Sequence, residues 1–299
     1  YGDHDRMVWV ADSFEGLPRP DGRYAQDQGD RFWSYSDVLG VSLEKVQANF
    51  RHYGLLDRGA LAPGYRADLV LLGDPKQCEI EKVWLEGKLV DELSWKTSTV
   101  KRPINSVKAK APTARELEGP TGRVHVIGVE PGKILTRRHV LDSKAEGVAH
   151  LTVLERHGKR SPPANAYALG FGKKFRGALA SSVGHDSHNL IGVGSSTEDM
   201  AVAFRALIES GGGYCAVDKK EVKALLPLPF GGLMSLQPAH VLEKALLHLR
   251  RVCRAQGCEL EEPFLQLAFL SLPVIPDLKL TDQGLFDVNA FRLVPVRAA

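Results

Sequence analysis

Read from its N-terminus, the chain first shows a short apolar run, Met7-Val8-Trp9-Val10-Ala11, which has the length of a buried strand and is closed by Asp12 and a Ser13-Phe14-Glu15-Gly16-Leu17-Pro18 loop. Leu43, Val46 and Phe50 then recur at helical spacing behind Ser42, a residue type that caps helix N-termini. A Pro63-Gly64 turn precedes the apolar strand Leu69 to Leu72, and Val83 to Val90 reads as a hairpin turning at Glu86-Gly87. Further on, apolar strands are predicted at Val124 to Val129 and Leu151 to Leu154, followed by a hairpin-like pair at Ala178 to Val183 and Leu190 to Val193. Glu198 to Glu209 has helical periodicity, Gly211-Gly212-Gly213 stops it, and Tyr214 to Val217 resumes a strand. Val241 to Cys253 is a second amphipathic helix, with Leu242, Ala245, Leu246, Leu249 and Val252 on one face. The pattern is α+β: two helices against a mixed sheet in the C-terminal part, a small β-sandwich remnant before it, and an N-terminal α/β fragment, with no complete (β/α)8 barrel.

Between the sandwich segment and the C-terminal strands, Lys96, Lys101, Arg102, Lys108, Lys110 and Arg115 alternate with Pro103, Pro112 and Pro120 without sustained periodicity. Such a stretch reads as an extended connector, its scattered basic residues solvated rather than assembled for a polyanion. Four segments follow: residues 1–57, 58–91, a connector over 92–123, and a C-terminal domain over 124–299.

With 299 residues the chain is long enough for two or more cores. Its net charge of +3 comes from 39 basic and 36 acidic residues with no contiguous basic tract, which argues against nucleic-acid binding. No apolar run reaches the roughly 20 residues a membrane span needs, and no basic start leads into an apolar stretch. A cytoplasmic protein without a membrane partner is therefore expected, and the absence of an initiator Met before Tyr1 is consistent with a fragment. The four cysteines, Cys78, Cys215, Cys253 and Cys258, offer one CxxxxC spacing and no CxxC, so reduced thiols are favoured over a zinc site.

One cluster could carry chemistry: His185-Asp186-Ser187-His188-Asn189, on the connection between two predicted strands. Two imidazoles around a carboxylate could bind a metal, relay protons or hold a purine edge. An HxxH on a turn does not aim both rings at one ion as an i, i+4 pair on a helix does, and no third ligand is evident nearby. Metal ligation, contact with an active site on a partnering barrel, and a hydrogen-bonded structural turn all stay open. Asp12, a carboxylate ending a strand, is placed as a ribose-binding acid would be, but no Gly-rich turn accompanies it.

Two resemblances run through the chain. Val8 to Pro18, Gly29-Asp30, Val41-Ser42-Leu43-Glu44 and Asn49-Phe50 through Asp57 resemble the macrocin O-methyltransferase family, which uses S-adenosylmethionine; the resemblance makes Asp12 the weak ribose contact. That family's Gly-rich cofactor loop and acidic metal-binding segments are missing from this stretch. From Arg58 onward, Arg58-Gly59-Ala60-Leu61-Ala62-Pro63-Gly64-Tyr65-Arg66-Ala67-Asp68, Gly177 to Asn189, Leu226-Pro227-Leu228-Pro229 with Gly232-Leu233-Met234-Ser235, and Leu272 to Pro276 through Leu280 to Leu285 are similar to the adenine deaminases, metal-dependent amidohydrolases, in family order. Arg160-Ser161-Pro162-Pro163-Ala164-Asn165-Ala166 departs from that pattern, where a glycine-rich turn is more usual.

Both resemblances meet in Arg51 to Gly59, a chimera-like join for which an artificial or decayed origin is favoured over a genuine fusion, since a fusion there would discard the working parts of both enzymes. The second implies conversion of adenine and water to hypoxanthine and ammonia, a step of purine salvage, at a divalent metal (Mn or Fe) held by histidines and an aspartate on barrel strands. Those strands do not occur in this sequence, and His4 in Asp3-His4-Asp5 lies in the methyltransferase-like part and does not carry over. The expectation is a chain inactive alone, with no metal bound well, adenine as the family's substrate, and a homo-oligomer compatible with the pattern. The competing expectation is a non-catalytic module for oligomerisation or purine binding; an S-adenosylmethionine-dependent remnant ranks last.

Overall fold

The computed structural model describes residues 42–52, 54, 57, 61, 63–74, 76–92, 106–159 and 161–298. The predicted strand at Met7 to Ala11, with Asp12, lies outside the described residues. The chain divides into two compact units, Tyr1–Thr99 and Val100–Ala299.

The first unit contains helix α1 (Leu43–His52) and an antiparallel sheet of β1 (Leu69–Asp74), β2 (Glu79–Leu85) and β3 (Lys88–Leu89) in the order β1-β2-β3. The β2–β3 turn falls at Glu86-Gly87, both with positive φ (52° and 77°), the backbone that a two-residue hairpin matched to strand twist requires. The Asp68 carboxylate accepts the Glu86 amide at 2.7 Å, and Arg66 reaches Asp57 at 2.8 Å and Glu86 at 2.6 Å. These contacts tie the turn to the strand entering β1, so Asp68 serves the hairpin.

The second unit is built on eight strands: β4 (Arg123–Val129), β5 (Thr136–Asp142), β6 (Val148–Leu154), β7 (Ala164–Leu169), β8 (Ala178–Ser181), β9 (Leu190–Gly194), β10 (Gly213–Asp218) and β11 (Glu221–Pro227). Their order is β11-β10-β8-β9-β6-β7-β4-β5, with β4 and β7 parallel and every other neighbour antiparallel. Helix α2 (Thr197–Glu209) lies between β9 and β10; α3 (Ala239–Ala255) and α4 (Pro263–Phe269) follow β11. A three-stranded meander, β12 (Leu278–Thr281), β13 (Gly284–Asp287) and β14 (Arg292–Leu293), completes the unit.

Both faces of the central strands are covered, which explains why β8 and β9 read as continuous apolar runs rather than as alternating ones. Ala178, Ala180, Leu190, Cys215 and Val217 join Met200, Phe204 and Leu207 of α2 in one buried cluster. Their neighbours Leu179, Ile191, Val193 and Ala216 face the opposite cluster, with Leu249 and Cys253 of α3, Leu267 of α4 and Leu278 and Leu280 of β12. Gly192 and Gly194 occupy the α2 side of β9, where an added Cβ would come within 2.8 Å of the Phe204 ring or 2.7 Å of Met200. Ser196 caps α2 by accepting the Asp199 amide at 3.2 Å.

The mixed sheet with packed helices expected from the sequence is present, and the described residues form no closed barrel. The sequence pattern passed over β5, β7, β11, α4 and the meander. Strand β5 spells Thr-Arg-Arg-His-Val-Leu-Asp on a sheet edge, where polar residues are exposed and alternation is weak. On α3, the expected face is the better covered one, with Leu249 buried and Leu242, Ala245, Leu246 and Val252 half-buried.

Of the predicted connector, the part from 106 to 123 lies on this unit. Thr113 and Glu116 form a capping box over the short 3-10 helix Ala114–Leu117, and Leu117 is fully buried against α2. The unit's first strand is also joined to the residues after its last one: His125 donates its amide to the Val296 carbonyl at 2.8 Å, and Ala298 to that of Arg123 at 3.1 Å.

Candidate functional site

Strand register gathers four connections at one end of the eight-stranded sheet. Leu154 pairs with Leu190, Ser181 with Ile191 and Tyr214, and Gly213 with Pro227. The segments that leave the sheet there, 155–159, 182–189, 210–212 and 228–234, therefore lie together although they span much of the unit's sequence.

Within this group the 185–189 loop is held by specific bonds. The Ser187 amide donates to the His185 carbonyl at 2.8 Å, and Asp186 and His188 adopt positive φ (59° and 46°). The His157 ring nitrogen Nε2 meets the Ser187 carbonyl at 2.8 Å, and Asn189, buried, accepts the Arg156 amide through Oδ1 at 3.4 Å. The His185 ring stacks on Phe269 with centroids 5.4 Å apart. His185, Asp186 and Ser187 are exposed and His188 half-buried, its Nδ1 enclosed and without a hydrogen-bond partner among the described residues. Between this loop and helices α3 and α4 runs a cleft of about 370 Å³, bordered by His185, His188, Tyr214, Leu249 and Phe264. Its walls are mainly apolar with few polar groups.

The sequence reading drew attention to all five loop residues; of these His185 and His188 border the cleft, while Asp186 and Ser187 are exposed and Asn189 is turned to Arg156. Among the described residues no three His, Cys, Asp or Glu side chains form a group suited to a metal ion. The divalent metal implied by the amidohydrolase resemblance thus finds no fitting ligand set in this loop, and no step of a reaction is drawn through it. Asp12 lies outside the described residues.

Glu155, Arg156 and His157 went unremarked in the sequence, yet they form the floor of the loop. Glu155, 4 % exposed, accepts the amides of His157 and of Lys159, the latter at 2.8 Å. Ser182, fully buried, donates to the Gly232 carbonyl at 2.6 Å and accepts the Gly213 amide at 2.7 Å, fastening the 228–234 connection to the same end. The available signal was three charged or polar residues following directly on an apolar strand, which puts them at a sheet end, where loop-borne binding groups gather.

The adenine deaminase C-terminal domain family model matches residues 131–292. The macrocin-O-methyltransferase family model matches residues 1–93, reaching past the boundary expected near residue 57. Adenine deaminase 1 of Rhizobium etli is 44 % identical over 258 residues, covering 82 % of this chain and 46 % of the relative. Adenine deaminase of Sinorhizobium fredii is 44 % identical over 258 residues, with 82 % and 46 % covered. Adenine deaminase of Brucella suis biovar 1 is 43 % identical over 261 residues, with 82 % and 44 % covered. The chain thus spans about half the length of these relatives. Because one likeness takes in residues 1–93 and the other 82 % of the chain, the two share a stretch.

Proposed function

The chain belongs to the adenine deaminase C-terminal domain family, and from that membership we propose that it serves the hydrolytic deamination of adenine to hypoxanthine as the C-terminal portion of such an enzyme. The family match over 131–292, which takes in the 185–189 loop, carries this reading. The loop's place at the mouth of a cleft supports a role in closing over or positioning a purine: the rings of His185 and His188 border the cleft and could meet a ring nitrogen or the exocyclic amine. Activation of the attacking water, which a divalent metal (Mn or Fe) would supply in the complete enzyme, is assigned to the portion of the relatives that lies outside their likeness to this chain. Alone, the chain is then inactive. It works in the cytoplasm, without nucleic-acid or membrane partners; among the described residues no helix is long and apolar enough to cross a membrane.

A second reading, purine binding without turnover, is favoured by the same cleft. Incubating the purified chain with adenine in Mn(II)- or Fe(II)-supplemented buffer and measuring ammonia separates the two readings from a third outcome. No ammonia together with saturable adenine binding that His188→Ala weakens about tenfold or more, the loss of one hydrogen bond to a ligand of this size, fits the proposed role. Ammonia release above a metal-only control would overturn inactivity of the isolated chain. Absence of any adenine binding would remove the cleft from both readings.

A further inference from the structure

Arg156 is 4 % exposed, and its guanidinium nitrogens Nε and Nη1 are enclosed without a hydrogen-bond partner among the described residues. Its backbone is fixed on both sides: the amide donates to Asn189 Oδ1 at 3.4 Å, and the carbonyl accepts the Lys108 amide at 2.7 Å. The side chain is thereby aimed across the sheet end onto Gly232, whose lack of a Cβ gives Nη1 its space, since an added methyl there would collide with it. Burial pulls the guanidinium below its ordinary pKa, and among the described residues no carboxylate acts to raise it again. Elsewhere in the unit arginines have acidic partners, as Arg138 has Asp287 and Arg176 has Asp218.

A guanidinium stays charged, and an enclosed charge without a counter-charge costs several kcal/mol. Water alone compensates poorly where a guanidinium nitrogen lies enclosed against the Gly232 backbone. We propose that Arg156 is the receptor of an oxyanion, a carboxylate or phosphate group, delivered to this end of the sheet beside the 185–189 loop. The planar fork of donors matches either group. Gly232 and the Ser182 anchor that fixes it keep one wall of the site close and smooth, and the small open fraction of Arg156 is the approach. The inference rests on the burial and pairing of Arg156 and is independent of adenine deamination; its test reads binding and not turnover.

The full chain is melted in chloride buffer at constant ionic strength, with phosphate and acetate titrated separately. A saturable rise in the melting midpoint of about 2–5 °C is expected with at least one of them. A response to phosphate alone identifies a phosphate-bearing ligand, and a response to acetate a carboxylate-bearing one. R156M is expected to lose the response and, relieved of an uncompensated charge, to melt higher than the unsubstituted chain in chloride alone. R156K, which keeps the charge and loses the fork, is expected to need roughly tenfold more anion for the same rise. An undiminished response in R156M, no response to either anion in the unsubstituted chain, or a lower midpoint for R156M in chloride would each overturn the proposal.

Discussion

Lys279 shows how much a single residue's surroundings can depart from what its letter suggests. It sits in β12 between Leu278 and Leu280, has no exposed surface, and donates to the Ile134 carbonyl at 3.2 Å. Burial pushes its amine down to about 7, against a smaller opposing pull from Asp277. In the unfolded chain a lysine titrates near about 10.4. Between those values the unfolded chain holds the extra proton, so stability rises with pH through that window and the cost of burying the charge is fully present below about pH 7. Lys279→Met is therefore expected to raise the melting midpoint at pH 6, by roughly 1–4 kcal/mol of stability, with the gain fading toward pH 10.5. Melts at the two pH values check this, and a loss of stability at pH 6 would contradict it. Neither Lys279 nor Arg156 stood out along the chain, for the same reason. A lysine between two leucines or an arginine after an apolar strand is ordinary until the fold supplies neighbours from Ile134, Gly232 or Asn189, tens of residues away. The 185–189 loop was legible because its chemistry is packed into five consecutive letters.

Among the elements, those with a strong period or an uninterrupted apolar run were readable. Helix α2 carries Met200, Ala203, Phe204 and Leu207 at the spacing of one buried face, and β8 and β9 are short and wholly buried. Strands β5, β7 and β11 were not, because an edge strand or one made of small residues owes its conformation to pairing with a neighbour and carries little pattern of its own. The contact of β9 with α2 depends on Gly192, whose absent Cβ admits the Phe204 ring. Gly192→Ala is expected to destabilise the unit by about 1–3 kcal/mol through overpacking. Combining it with Phe204→Leu, which makes room, should cost less than the sum of the two single changes, and denaturant unfolding of the four chains measures the coupling. Strict additivity would mean that the helix does not rest on this glycine.

For the whole molecule, the division into two units gives the second a core of its own: two clusters on opposite faces of one sheet, the capping box of Thr113 and Glu116, and Leu117 buried against α2. A chain of residues 106–299 is expected to unfold in one cooperative transition with a midpoint within about 2 °C of the corresponding transition in the full chain. Loss of cooperativity in calorimetry would show that earlier residues complete this core.

The joining of β4 to residues 296–298 has a temporal side. A ribosome delivers Arg123 to His125 well before their partners Val296 and Ala298, so the start of this strand, beyond the part that β7 pairs, waits through most of the unit's synthesis before its amide and carbonyl are satisfied. Closure of this kind makes long-range pairing the final event of folding and leaves the nascent unit open to alternative pairing until then.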